Sequence, residues 1–139
     1  MLHNKATHKI LVARRMVGVG TTRVVVKVGS WAFKIARTMY GVRCNRHEAA
    51  LFGRSKDNVH RVEMLCPVHW CSSPAVVLIM RRAATPVTEE QIENLKGWAW
   101  KQWDYLGTGD DECPFEWKST DWGVLEDKLV AVDYAATAV

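Results

Sequence analysis

The chain lacks the marks of several protein classes. Its 139 residues contain no apolar run of roughly 18, so no segment reads as a bilayer-spanning helix. The first ten residues, MLHNKATHKI, hold no apolar stretch of the kind a secretory signal needs, and none is expected there. Cysteine is scarce, with Cys44, Cys66, Cys71 and Cys113 scattered too widely to staple a chain of this size, so reduced thiols in a cytoplasmic setting are expected. Internal repeats and low-complexity segments are missing as well. Acidic residues are rare in the first 60 positions, where only Glu48 and Asp57 occur.

What is present fits one small domain over residues 1–139. Apolar residues make up 48% and charged residues 24%, the balance of a globular protein. A folded chain of this length buries roughly two-thirds of its unfolded surface, enough for a core without staples. The net charge of +4 conceals an asymmetry. Residues 1–60 carry twelve Lys/Arg and a net +10, residues 61–88 a net +2, and residues 89–139 a net −8. Three readings are open: an anion or nucleic acid bound by the basic half, neutralisation of one half by the other within the fold, or an acidic half that meets a basic partner.

Alternation and turn signals give a run of strands first. Lys9 to Val17 reads as a strand, Gly18 to Thr22 as a glycine loop, Arg23 to Val28 as a second strand, Gly29-Ser30 as a reversal and Trp31 to Arg37 as a third strand. Cys44 to Arg54 reads as a short helix that carries Glu48 on the stripe shared with Leu51 and Phe52. Val62 to Cys66 and Ala75 to Met80 read as two more strands around a Pro67–Pro74 loop. Thr88-Glu89-Glu90-Gln91 fits a capping box that starts a helix running to Leu106 and ending at Gly107. After an acidic loop, Trp122 to Leu125 and Lys128 to Asp133 read as a hairpin turning at Glu126-Asp127.

Several residues stand out against this frame. Gly18 and Gly20 let a hairpin approach a ligand closely, so that backbone N–H groups face phosphate oxygens; an ordinary β-turn is the plainer reading. No helix follows them, which argues against a dinucleotide fold. Period-2 alternation sets Trp31, Phe33 and Ile35 on one face and Ala32, Lys34 and Ala36 on the other. Lys34 therefore projects between small residues that leave room for a flat ligand, unless it simply faces solvent. Glu48, carried inward, needs a cation, and Lys34 is its natural partner. Asp133 ends an apolar strand and either caps a turn or, with Asp121, offers oxygen ligands to Mg²⁺. Cys66, His69, Cys71 and Cys113 lack the spacing of a zinc knuckle. Seven tryptophans exceed Phe plus Tyr, and a helix with Trp98, Trp100 and Trp103 cannot bury all three on one stripe. At least one is expected at a surface, where aromatics act as anchors. Residues 5–15 and 37–56 are basic but hold few aromatics, so a solvated face is expected there rather than a nucleic-acid grip.

In order along the chain, these features resemble the protein-kinase family. Gly18-Val19-Gly20-Thr21-Thr22-Arg23-Val24-Val25 follows G-x-G-x-x-G-x-V, and Trp31-Ala32-Phe33-Lys34 follows V-A-I-K. Glu48 falls where the helix glutamate of that lysine belongs. Ala75 to Met80 with Arg81-Arg82-Ala83 looks like the strand and hinge beside the adenine. Asp121-Trp122-Gly123-Val124-Leu125 resembles the catalytic-loop Asn and its strand, and Asp133-Tyr134-Ala135 resembles Asp-Phe-Gly. The same stretches look like small kinase-like proteins of bacteriophages and bacteria. The departures are Arg23 for the third glycine, Asp121 for Asn, Tyr134-Ala135 for Phe-Gly, and no His-Arg-Asp before Asp121, where Glu116 takes the place of the catalytic Asp. With six residues after Asp133, almost no C-terminal lobe is expected.

The resemblance implies an α+β fold: a kinase-like N-lobe of antiparallel sheet plus one helix (1–83) on a vestigial lower part of helix and β-hairpin (84–139). It implies a pseudokinase-type binding protein, a bacteriophage accessory protein that modulates a host protein through its surface. Trp98, Trp103, Asp110, Asp111, Glu112 and Trp117 are the expected partner surface. Any ATP would meet Gly18, Gly20, Thr21, Thr22, Ala32, Lys34 and Met80, with Mg²⁺ on Asp121 and Asp133. The alternative is a small ATP- and Mg²⁺-dependent phosphotransferase in which Lys34, Glu48 and Asp133 act with Glu116 as base. A second alternative is nucleic-acid binding through the basic half; no membrane association is expected.

Overall fold

A computed structural model describes residues 17–99, 103 and 113–138. Five antiparallel strands form the main sheet: β1 (Val17–Val19), β2 (Arg23–Val28), β3 (Trp31–Ala36), β4 (Val68–Cys71) and β5 (Val77–Arg81), in the order β1-β2-β3-β5-β4. Two more, β6 (Trp122–Leu125) and β7 (Lys128–Ala131), form a separate hairpin. Three α-helices complete the described fold: α1 (Met39–Arg54), the single turn α2 (Val59–Val62) and α3 (Glu89–Ala99). The α+β class follows directly from this mixture.

Register decides which residues face inward. Val25 lies opposite Lys34, which lies opposite Leu78, while Ala32 lies opposite Met80. These residues share the face turned to the core, and Trp31, Phe33 and Ile35 share the other, as the alternation in the sequence predicts. Ala32, Leu51, Leu65, Leu78, Met80, Trp122, Val130 and Tyr134 belong to one buried cluster that runs from the main sheet through to the hairpin. A backbone bond from Cys66 N to Ala131 O at 2.9 Å and another from Ala131 N to Met64 O at 2.7 Å join the two parts.

Several elements differ from the sequence expectation. Gly18 is not in a turn but in β1, opposite Val25; the turn is Gly20-Thr21-Thr22, closed by Gly20 N donating to Arg23 O at 2.8 Å. Residues 9–16 of the expected first strand lie outside the described residues. Helix α1 begins at Met39 rather than Cys44, because the Thr38 side chain caps it by accepting from Gly41 N at 3.0 Å. Val62 to Cys66 is not a strand. Asn58 caps the short helix α2 there, and only Leu65 pairs, in a parallel bridge with Ala131. The Pro67–Pro74 loop is interrupted by β4, which exists because it pairs with β5. The capping box is present, with Thr88 N donating to Gln91 Oε1 at 2.8 Å and Gln91 N to Thr88 Oγ1 at 3.1 Å. Its helix is described as far as Ala99. The hairpin turns at Glu126 and Asp127, both at positive φ (51° and 66°), the pairing that a two-residue type I′ reversal needs.

Gly41 is where helix and turn touch. A Cβ there would lie 2.2 Å from the Thr22 carbonyl oxygen. Gly-to-Ala in a helix ordinarily stabilises by about 1 kcal/mol. Here Gly41→Ala is expected to destabilise by about 1–3 kcal/mol, because the displaced atom is backbone; equilibrium urea unfolding gives the sign.

Candidate functional site

The site is built around one carboxylate. Glu48, on the inward stripe of α1, has no exposed surface. Its Oε1 accepts from Lys34 Nζ of β3 at 2.9 Å and from Arg23 Nη1 of β2 at 2.5 Å. Its Oε2 accepts from the backbone N–H of Tyr134 at 2.8 Å. Burial alone would push this carboxyl up, but Lys34 and Arg23 reverse the effect and hold it below its ordinary value. The partnership of Lys34 with Glu48 is the one read from the sequence. Lys34 also donates to the Val132 carbonyl and lies under the Tyr134 ring, 6.0 Å from its centroid.

Arg23 is the residue that sequence reasoning missed. Standing where the glycine pattern has its third glycine, it is a buried ion-pair partner, 8% exposed. Besides Glu48 it donates from Nη1 to Asn45 Oδ1 at 3.2 Å and from Nη2 to Asp133 Oδ1 at 3.4 Å. Burial opposes its charge, yet Glu48 and then Asp133 keep the guanidinium above its ordinary range. Its period-2 relation to Val25 and Lys27, which puts it on the inward face with Lys34, was the available signal. Asn45 completes the cluster, its amide bonding the carbonyls of Lys34 at 3.1 Å and Ala75 at 3.0 Å.

In front of this cluster lies a cleft of about 760 Å³. All seven residues expected to meet a nucleotide line it: Gly18, Gly20, Thr21, Thr22, Ala32, Lys34 and Met80. Arg37 braces the turn over the cleft by donating to Gly20 O at 2.6 Å. Lys27, Arg81 and Lys118 add positive charge to the walls, against Asp121 and Asp133. Lys27 Nζ donates to Thr85 Oγ1 at 2.5 Å, across the mouth from β2 to the segment after β5.

The two aspartates face the same space but differ. Asp133 is half-exposed, and its Oδ1 is already engaged by Arg23 and, at 3.4 Å, by Ala135 N. Asp121 is pushed up to about 6 by burial and by the nearby charge of Asp133, with Lys118 4.0 Å away as a partial counterweight. As a divalent-ion site this donor set does not fit well. Both of its carboxylates already have a cation beside them, Arg23 at 3.4 Å from Asp133 and Lys118 at 4.0 Å from Asp121. Glu116, expected as a base, is not part of the cleft lining. Its carboxylate pairs with Lys118 at 2.9 Å on the surface, while its carbonyl accepts from the Trp122 indole at 2.9 Å.

Of the expected partner surface, only the side chains of Trp103 and Trp117 are among those described. Trp103 is in the core at 5% exposure, edge-on to Phe115 and covered by Arg61. Trp117 is half-buried and stacks on Trp122 with centroids 5.5 Å apart. The side chain of Trp98 and residues Asp110, Asp111 and Glu112 lie outside the described residues. The cysteines are free; Cys66 is buried, its thiol pushed up to about 12 by that burial. No protein-family model, no curated protein and no solved structure matches the chain.

Two predictions follow from the charges. Glu48→Gln leaves Lys34 without its carboxylate and Arg23 with Asp133 alone, and is expected to cost about 3–5 kcal/mol in chemical unfolding. Asp121 acts in the opposite sense. Its folded carboxyl keeps a proton to higher pH than the unfolded one, so the folded state binds more protons between 3.8 and about 6. Stability from this group falls as pH rises through that window. Asp121→Asn is therefore expected to raise stability at pH 7 by about 1–2 kcal/mol and to flatten that slope. Thermal melts at several pH values check it, and an unchanged slope would refute it.

Proposed function

We propose that the chain is a kinase-like protein of pseudokinase type that binds a nucleotide in the cleft and acts by binding rather than by phosphoryl transfer. The observation that carries this reading is the Lys34–Glu48 ion pair buried at the back of a cleft covered by the Gly20-Thr21-Thr22 turn. A lysine fixed by a buried carboxylate offers a charge that cannot swing away. A glycine-containing turn above it offers backbone N–H groups to phosphate oxygens. Ala32 and Met80, side by side on β3 and β5, supply a flat apolar wall against which a base can lie.

Binding is favoured over transfer by the position of the acidic groups. Transfer needs a nucleophile held in line with the phosphoryl group and a residue to take its proton. Glu116, the residue expected to do so, faces Lys118 outside the cleft lining. Nucleic-acid binding through the basic half is less well supported, since Arg23 and Lys34 are buried at the cleft wall rather than on an open face that an extended strand could follow.

Thermal unfolding with saturating ATP tests the reading. At about 100 times its dissociation constant a ligand stabilises by about 2.7 kcal/mol, a rise of several degrees for a chain of this size. The wild type is expected to show that rise and Lys34→Ala, refolded and checked by circular dichroism, to lose it. No rise in the wild type with ATP, ADP or GTP, with or without Mg²⁺, overturns the nucleotide reading.

A further inference from the structure

We propose that the cleft binds the polyphosphate of its nucleotide without a divalent metal ion, with Arg23 serving as the fixed cation that a metal would otherwise supply. The proposal rests on the nucleotide reading above and deepens it. Asp133 is the carboxylate nearest to a metal role, and one of its oxygens already accepts from Arg23 Nη2 at 3.4 Å. Arg23 cannot readily yield that place. Its other bonds run to Glu48 and Asn45, both without exposed surface, and turning it outward would strand Glu48 with a single cation. The guanidinium is thus a permanent positive charge on the cleft wall, held at fixed geometry and planar enough to serve several acceptors.

Lys34, Lys27, Arg81 and Lys118 line the cleft with Arg23, against Asp121 and Asp133. Arg23 and Lys34 share the buried Glu48, while Arg81 and Lys118 pair with the exposed carboxylates of Glu126 and Glu116. A divalent ion entering meets one paired carboxylate and Asp121, which itself has Lys118 4.0 Å away. Lysine and arginine side chains neutralise phosphate oxygens directly, and arginine does so through charge-assisted hydrogen bonds. Arginine at position 23 therefore changes which cation serves the phosphates, besides crowding the turn.

Isothermal titration of the full chain with ATP, once with excess Mg²⁺ and once with EDTA, decides the matter. The expected result is binding in both, with dissociation constants within about tenfold of each other. Binding only with Mg²⁺ overturns the proposal and leaves the nucleotide reading standing. Binding in neither overturns both. Arg23→Gln is expected to weaken binding in EDTA by about tenfold to a hundredfold, the worth of a charged hydrogen bond. Restoration of that variant by Mg²⁺ would place the metal and the guanidinium in the same role. A variant that binds ATP in EDTA as tightly as the wild type overturns the role of Arg23. Should Arg23→Gln fail to fold, the wild-type pair of titrations still decides.

Discussion

A carboxylate with no access to water imposes its own conditions on everything around it. Left alone it would cost far more than a small domain has in net stability, so it has to be surrounded by donors. Glu48, carried by α1, draws those donors from three other stretches of chain: Arg23 from β2, Lys34 from β3 and the backbone N–H of Tyr134 beyond β7. The sheet, the helix and the segment after the hairpin are therefore held in one arrangement by a single charge. Apolar packing supplies the bulk of the stabilisation, but packing tolerates sliding, and a buried carboxylate held by three donors does not. Tyr134 reinforces the join at its other end, where its hydroxyl donates to Cys66 O at 2.8 Å.

The same contact sorts the basic residues of the first half into two groups. Arg23 and Lys34 are committed to Glu48, and Arg37 to the Gly20 carbonyl. Lys27, on the inward face of β2, keeps a place on the cleft wall and is held below its ordinary value by burial and then by Arg82. A charge asymmetry that reads from the sequence as one broad basic surface is therefore partly internal. This neutralisation takes place mostly within the basic half itself, through Glu48, and only the contact of Arg23 with Asp133 carries it to the acidic half.

What could be read from the sequence was whatever depends on near neighbours. The face carried by Lys34 followed from the alternation around it, the inward Glu48 from helical spacing to Leu51, and the turn at Glu126-Asp127 from the flanking strands. The failures share a different cause. Val62 to Cys66 has the apolar look of a strand, but Asn58 just before it accepts from the N–H groups of His60 and Arg61, which begins a helix instead. Strand β4 has no strong pattern of its own and exists through pairing with β5. Trp103 was expected at a partner surface as one of three tryptophans that a single stripe cannot all bury, yet Phe115 and Arg61, brought in from elsewhere, cover it in the core. Arg23 was misjudged for the same reason. Its meaning lies in Asp133, 110 residues away, and no local pattern reports that distance.

Whether a fixed cation only holds a phosphate or also speeds its transfer depends on where charge lies in the transition state. Electrostatic catalysis comes from charges fixed in advance where negative charge develops, and an arginine can fill that role. A cation that attracts the phosphates equally before and during reaction lowers the dissociation constant and leaves the barrier where it was. Arg23 is held by Glu48, Asn45 and Asp133, and its immobility is by itself no argument against turnover. The position of Glu116 outside the cleft lining, paired with Lys118, is what separates the proposed binding role from transfer.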